Sequence, residues 1–363
     1  MQKEFTPIDH MNQKKRHVVF RADGGPNTIG LGHIMRCLAL ASEFKKLSYE
    51  VCFVTKDYDQ AVLDLISSKG FYIEILDTNA DQNEDLDFLL EVIGEFKYPL
   101  VVVDSYEIGT EYLKALKDHC VLLSIDDNAD IALPSHIILN ANVYAEPEMY
   151  NQDAFLILGS EFAFIREDFL KANRETKHKE IASNVLITFG GSDPTNQSMK
   201  TLSMLSEIDM PLDVKAVVGS SYNRIEEIKS LASSLPYRAE IIVQSKDMPG
   251  LMEWADIAVT AGGGTCYECA FMGLPNIIIV TEDNQVRVAK TLDFLSSAIS
   301  MGWHEHLDFE KFSNIFKKLS KDVKIRSEIS EVGRGLIDGN GARRSANLIH
   351  KYLSSCQIQA NPK

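Results

Sequence analysis

No stretch of this sequence approaches the roughly 18–20 consecutive apolar residues that a membrane helix requires, and residues Met1 to Lys15 lack the apolar core of a signal peptide. Positive charge is scarce. Lys and Arg number 37 against 52 Asp and Glu, a formal charge of −15, which argues against non-specific binding to nucleic acid or to an anionic membrane. Cysteine is sparse as well, with six scattered through apolar surroundings. That pattern belongs to reduced, mostly buried thiols and points to the cytoplasm. Cys266 and Cys269 form the one C-x-x-C pair, without the second pair or clustered histidines of a zinc site. There is no G-K-[ST], so the phosphate loop of nucleoside triphosphatases is missing. No short repeat or low-complexity segment is present. The reading requires neither cofactor nor metal.

What is present is an ordinary globular composition, 45% apolar and 25% charged, over 363 residues, enough for two domains. Short β-rich runs alternate with helical patterns. Strands are predicted at 17–21, 51–54, 71–75, 100–104 and 121–125. Between them, Ile34, Leu38, Ala41 and Phe44 recur at helical spacing, as do Leu86, Leu89, Leu90, Ile93 and Phe96. From about Ala141 to Lys179 the pattern breaks into a polar, aromatic-spotted stretch. It resumes with strands predicted at 185–189, 214–218, 240–243, 257–260 and 276–280, and the last 60 residues read as helical. Near-continuous apolar strands separated by amphipathic helices imply parallel sheets covered on both faces. The prediction is an α/β chain of two doubly wound, Rossmann-like domains with a cleft between them. Residues 1–15 form a polar tail, 16–175 an N-terminal domain and 176–363 a C-terminal domain.

Ligands of such sheets bind beyond the carboxyl ends of the strands. After the first strand the sequence runs Arg21-Ala22-Asp23-Gly24-Gly25 and on through Gly30-Leu31-Gly32-His33 into a helix carrying Arg36. A dinucleotide fingerprint would need glycine at Met35, so what remains is G-x-G-H-x-x-R. A helix N-terminus disfavours the imidazolium form, so His33 suits a general base that takes a proton from water. Asp23 could orient the imidazole or the water. The plain alternative is a histidine that caps the helix. The fourth and fifth strands end in Asp104-Ser105-Tyr106 and Asp126-Asp127-Asn128. Tyr106 could bond a sugar or support the base, and the carboxylates read equally well as turn and cap residues.

In the second half, Gly262-Gly263-Gly264-Thr265 follows a strand and opens a helix, a ready anion site. Glu268, one turn on, can accept from ribose hydroxyls, with Cys266 and Cys269 as buried residues of the same helix. Gly190-Gly191-Ser192-Asp193 offers a second glycine loop. Asn284 and Gln285 follow the last apolar strand with amides suited to sugar hydroxyls and N-acyl groups. Arg166 lies in the segment joining the domains, either as a surface ion pair or as a fork for a diphosphate.

Taken together, these residues resemble the UDP-2,4-diacetamido-2,4,6-trideoxy-β-L-altropyranose hydrolase family of pseudaminic acid biosynthesis, relatives of the MurG-like glycosyltransferases. The resemblance rests on Arg21, Asp23, Ile29-Gly30-x-Gly32-His33-x-x-Arg36, Asp104-Ser105-Tyr106 and Gly159-x-x-Phe162-Ala163-x-x-Arg166. It continues through Gly190-Gly191-Ser192-Asp193-Pro194, Gly263-Gly264-Thr265-x-x-Glu268, Gly273-x-Pro275 and Asn284-Gln285. A longer Gly24–Thr28 stretch and the N-terminal extension depart from the family pattern. The resemblance implies a GT-B fold and hydrolysis of the UDP-sugar with inversion and no required metal. It makes His33 the base, Arg166 and Glu268 substrate-binding, and Asn284 and Gln285 neighbours of the sugar. The C-terminal domain would hold UDP while the N-terminal domain brings His33 to the anomeric carbon. The candidate catalytic residues are thus His33, Asp23 and Tyr106. The candidate substrate-binding residues are Gly30, Gly32, Arg36, Arg166, Gly191, Ser192, Gly263, Gly264, Thr265, Glu268, Asn284 and Gln285. A glycosyltransferase using a UDP-sugar donor is the alternative.

Overall fold

The computed structural model describes residues 11–12, 15–24, 32–56, 60–150, 153–174 and 178–360, without side chains beyond 355. Gly30 and most of the Gly24–Thr28 stretch lie outside the described residues. The chain divides into two compact units, one formed by residues up to Arg166 together with Asn340–Lys363, the other by Glu167–Gly339.

The first unit is built on seven strands: β1 (His17–Ala22), β2 (Glu50–Lys56), β3 (Tyr72–Leu76), β4 (Leu100–Asp104), β5 (Val121–Ile125), β6 (Ile137–Asn140) and β7 (Phe155–Leu158). They pair in parallel in the order β3-β2-β1-β4-β5-β6-β7. Alternation along each strand explains why both faces are covered. Val18 and Phe20 of β1 point into a core shared with α1 (Gly32–Lys46), through Ile34, Leu38 and Ala41. Val19, between them, points into the opposite core with Leu89 of α3 (Gln82–Gly94) and Leu113 of α4 (Thr110–Lys117). Helix α2 (Gln60–Ser68) completes the first side with Val62, Leu63 and Ile66.

The second unit carries six parallel strands: β8 (Asn184–Thr188), β9 (Asp213–Val218), β10 (Arg238–Val243), β11 (Ile257–Thr260), β12 (Asn276–Val280) and β13 (Ile299–Trp303). Their order is β10-β9-β8-β11-β12-β13. After the short α5 (Glu167–Leu170), its helices are α6 (Gln197–Ser206), α7 (Ile225–Ser234), α8 (Met248–Trp254), α9 (Gly264–Met272), α10 (Gln285–Phe294), α11 (Phe309–Lys321) and α12 (Val323–Leu336). Both units are doubly wound. In each, the chain runs outward from a central strand and then returns to that strand's other side. This creates a switch point between β1 and β4 and another between β8 and β11.

Three strands escape the sequence reading. β6 and β7 are four residues each and flank or fall within the polar, aromatic-spotted stretch, and β13 contains Gly302 at a positive φ beside a register shift. The domain limits also differ from the predicted 16–175 and 176–363. The last helix, α13 (Gly341–Ala360), returns to the first unit because Ala346, Ile349 and Leu353 complete the α1 core. Within the predicted polar tail, Met11 is 4% exposed and packs in the α3–α4 core.

Candidate functional site

At the first switch point, parallel register sets Ala22 of β1 beside Asp104 of β4, and α1 begins after β1. His33 thereby comes to lie over Asp104. The imidazole is 6% exposed and the carboxylate residue 1%, with His33 Nδ1 2.5 Å from Asp104 Oδ1. Arg36 follows three residues later on the same helix face, and its Nε and Nη2 donate to the two Asp104 oxygens. Burial alone would push the Asp104 carboxyl up. The Arg36 charge and the bonds from Arg36 and His33 outweigh that and hold it well below the usual carboxylate range. An ionised carboxylate has no proton to give, so Nδ1 must carry the hydrogen, and Nε2 is the nitrogen at which the ring can accept one. The 3.2 Å approach of Arg36 Nη2 to Nδ1 is then a contact between two donors, not a bond.

Arg36 also reaches Asp127, after β5, with Nη1 at 2.9 and 2.8 Å from its two oxygens. The Tyr106 hydroxyl donates to Asp127 Oδ2 at 2.5 Å, Asn142 Nδ2 donates to Oδ1 at 3.0 Å, and the Tyr144 hydroxyl donates to the Asp127 carbonyl. Burial would raise the Asp127 carboxyl, but Arg36 and Tyr106 bring it below its ordinary value. Burial and Asp127 push the Tyr106 phenol up, so it stays protonated. The Tyr106 ring stands edge-on to His33, centroids 4.6 Å apart, yet the residue is 56% exposed.

The expectation that Asp23 orients the imidazole needs correction. Its Oδ1 accepts from the Lys56 N–H at 2.9 Å and lies 2.8 Å from Arg21 Nη1, while Arg21 is paired with Asp85. The carboxylate on the imidazole is Asp104, a neighbour through the sheet and not through the sequence. Asp127 sits in a run that reads equally well as a turn, whereas Asn142 and Tyr144 fall in the irregular stretch and carry no distinguishing signal. Gly32, the first residue of α1, is exposed, and Arg166 is half-buried at the end of the first unit's main segment.

At the second switch point the two glycine loops differ. In the loop after β8, Asp193 accepts from the backbone N–H groups of Gln197 and Ser198 at 2.8 and 2.7 Å. The start of α6 is therefore already capped by a carboxylate of the chain itself. Gly191 and Ser192 are exposed beside it. The loop after β11 is open. Gly263 is the N-cap of α9 with no side chain bonded to the helix start, and a Cβ added at Gly263 or Gly264 would meet nothing within 4 Å. Uncapped N–H groups with free space above them suit an anion.

Gln285 holds this loop in place. Its Oε1 accepts from the N–H groups of Gly262 and Thr281 at 3.1 and 3.0 Å, which ties the two loops together. The amide oxygen expected to meet sugar hydroxyls is thus committed to the backbone, and Nε2 alone remains for such a contact. From below, Cys266 Sγ donates to the Ala261 carbonyl at 3.0 Å, and burial pushes its thiol up to about 12. Cys266 and Cys269 are buried residues of α9. Thr265 and Glu268 are half-buried on that helix, and Asn284 is exposed at the N-cap of α10. Among the described residues, no group of three or more His, Cys, Asp or Glu is arranged to hold a metal ion. No helix among them is long and apolar enough to cross a membrane.

Residues 155–305 match the glycosyltransferase family 28 C-terminal domain. The spore coat polysaccharide biosynthesis protein SpsG of Bacillus subtilis is 28% identical, with 90% of this chain and 96% of that protein covered. The UDP-2,4-diacetamido-2,4,6-trideoxy-β-L-altropyranose hydrolase of Campylobacter jejuni is also 28% identical, over 70% of this chain and 88% of that enzyme. Among solved structures, Acinetobacter baumannii MurG superposes with a TM-score of 0.69 at 17% identity, covering 93% of this chain and 99% of MurG. The fold is thus of the GT-B type.

Proposed function

We propose that this chain is a nucleotide-sugar hydrolase that cleaves a UDP-linked diacetamido-trideoxy sugar to free sugar and UDP, a step of nonulosonic (pseudaminic) acid biosynthesis. The observation that carries this reading is the His33–Asp104 pair, with Asp104 kept ionised by Arg36 and Nε2 left as the proton acceptor. Similarity to the Campylobacter jejuni hydrolase supports the substrate class.

In the proposed reaction, Nε2 of His33 takes a proton from water as its oxygen bonds to the anomeric carbon. The bond from that carbon to the β-phosphate oxygen breaks, and its electron pair leaves with UDP. Asp104 stabilises the imidazolium that forms, which then returns its proton to solvent. The first unit supplies the base and the second supplies the nucleotide site. There, the N–H groups at the start of α9 take the diphosphate charge and Glu268 takes the ribose hydroxyls. The resemblance adds Arg166 as a group for the diphosphate and Asn284 as a neighbour of the sugar. Tyr106 stands beside the base.

The match to the glycosyltransferase family 28 C-terminal domain favours a second reading, transfer of the sugar to an acceptor from the same donor site. Incubation with the UDP-sugar alone separates the two. Stoichiometric release of UDP and free sugar, with labelled oxygen from water at the anomeric position by NMR, supports hydrolysis. Turnover that appears only on adding an acceptor supports transfer.

A further inference from the structure

We infer that Asp127 is a positioning residue that fixes the Tyr106 hydroxyl as a hydrogen-bond acceptor beside His33, so that the ligand group taken there is an N–H or O–H donor. The argument is a count of protons. Asp127 receives Arg36 Nη1 on both oxygens, Asn142 Nδ2 on Oδ1 and the Tyr106 hydroxyl on Oδ2, and it has no proton to offer in return. The single Tyr106 proton is therefore spent at 2.5 Å on Asp127. What the phenol oxygen still presents is lone pairs. Its ring lies edge-on to the imidazole while more than half of the residue remains exposed, so a ligand group that reaches the hydroxyl beside His33 would meet those lone pairs.

On the reading of this chain as a sugar-nucleotide hydrolase, the polarity discriminates between the two ends of an acetamido group. An amide N–H or a sugar hydroxyl finds an acceptor at Tyr106, whereas a carbonyl oxygen finds no donor there. Asparagine at 127 breaks the arrangement without changing its shape, because an amide can donate to the phenol oxygen and reverse its role.

The test is a double-mutant cycle on UDP release from a UDP-linked diacetamido sugar, with Tyr106→Phe, Asp127→Asn and the pair together. Each single change is expected to lower kcat/KM by about 10-fold, the rate equivalent of one hydrogen bond, with Tm nearly unchanged in Tyr106→Phe. In the Tyr106→Phe background, Asp127→Asn should add less than about 2-fold. Multiplying effects would show that Asp127 acts through Arg36 or through the fold, and would overturn the inference. A second measurement is independent of turnover. Proton NMR of the wild-type protein should show a far-downfield hydroxyl resonance that disappears in both single variants, and its absence from the wild type also overturns the inference. If the wild type releases no UDP from any UDP-sugar, the functional reading fails while this spectrum still decides the polarity.

Discussion

Asp104 accepts a hydrogen bond from Nδ1 of His33 at 2.5 Å, and the same carboxylate is gripped by Arg36 on both of its oxygens. Arg36 extends in turn to Asp127, so two carboxylates that are 23 residues apart share one guanidinium. The imidazole is held in one tautomer by a partner whose charge is itself held.

Replacing His33 by Ala or Asn removes the proposed proton acceptor and should reduce turnover by roughly 10²–10⁴. UDP affinity, measured by calorimetry, should change little because the proposed nucleotide site draws on residues of the other unit. Variants that kept wild-type rates would remove His33 from the reaction.

Asp104→Asn preserves the shape but can present an N–H to Nδ1, which favours the tautomer with its proton on Nε2. Turnover should fall by about 10²–10⁴, as when the orienting carboxylate of a catalytic triad is lost. KM should change far less than kcat. Equal loss in both would show that Asp104 serves binding or folding and not the base.

Acid should destabilise the first unit through the two carboxylates. Asp104 and Asp127 are both held below their ordinary values in the folded chain, by Arg36 working against burial. An unfolded carboxyl titrates near pH 4, so the stability they contribute is complete above about pH 4 and is lost as pH falls through the lower folded values. Tm should therefore drop steeply below about pH 4. Asp127→Asn should make that acid limb shallower, and an identical limb would show that Asp127 is not part of it.

Gly263→Asp would copy in α9 what Asp193 does in α6, a carboxylate bonded to the helix's own first N–H groups. The backbone at Gly263, φ −91°, accepts any residue, and a Cβ meets open space. Thermal stability should stay level or rise by a few tenths of a kcal/mol. UDP affinity should fall by more than about 10-fold, since the anion site would be filled and its charge reversed. Glu268→Ala should weaken UDP as well. Unchanged UDP binding by calorimetry in both variants would place the nucleotide elsewhere.

The sequence by itself determined the two doubly wound sheets in outline, because near-continuous apolar runs and helical spacing are local properties of the chain. It also marked the residues after the strands, His33, Tyr106 and the two glycine loops, since strand ends are where such sheets expose backbone and short polar side chains. What it could not determine was which of these meet. Asp104 becomes the partner of His33 only because β4 lies next to β1, 71 residues later in the chain. Asp23, ten residues from His33, is drawn off instead by Arg21 and the Lys56 amide on β2. Likewise Asp193 turns one glycine loop into a self-capped helix start while Gln285 braces the other and leaves it open. Side-chain pairing across non-adjacent strands is set by sheet order and register, which are tertiary quantities, and only the folded chain decides them.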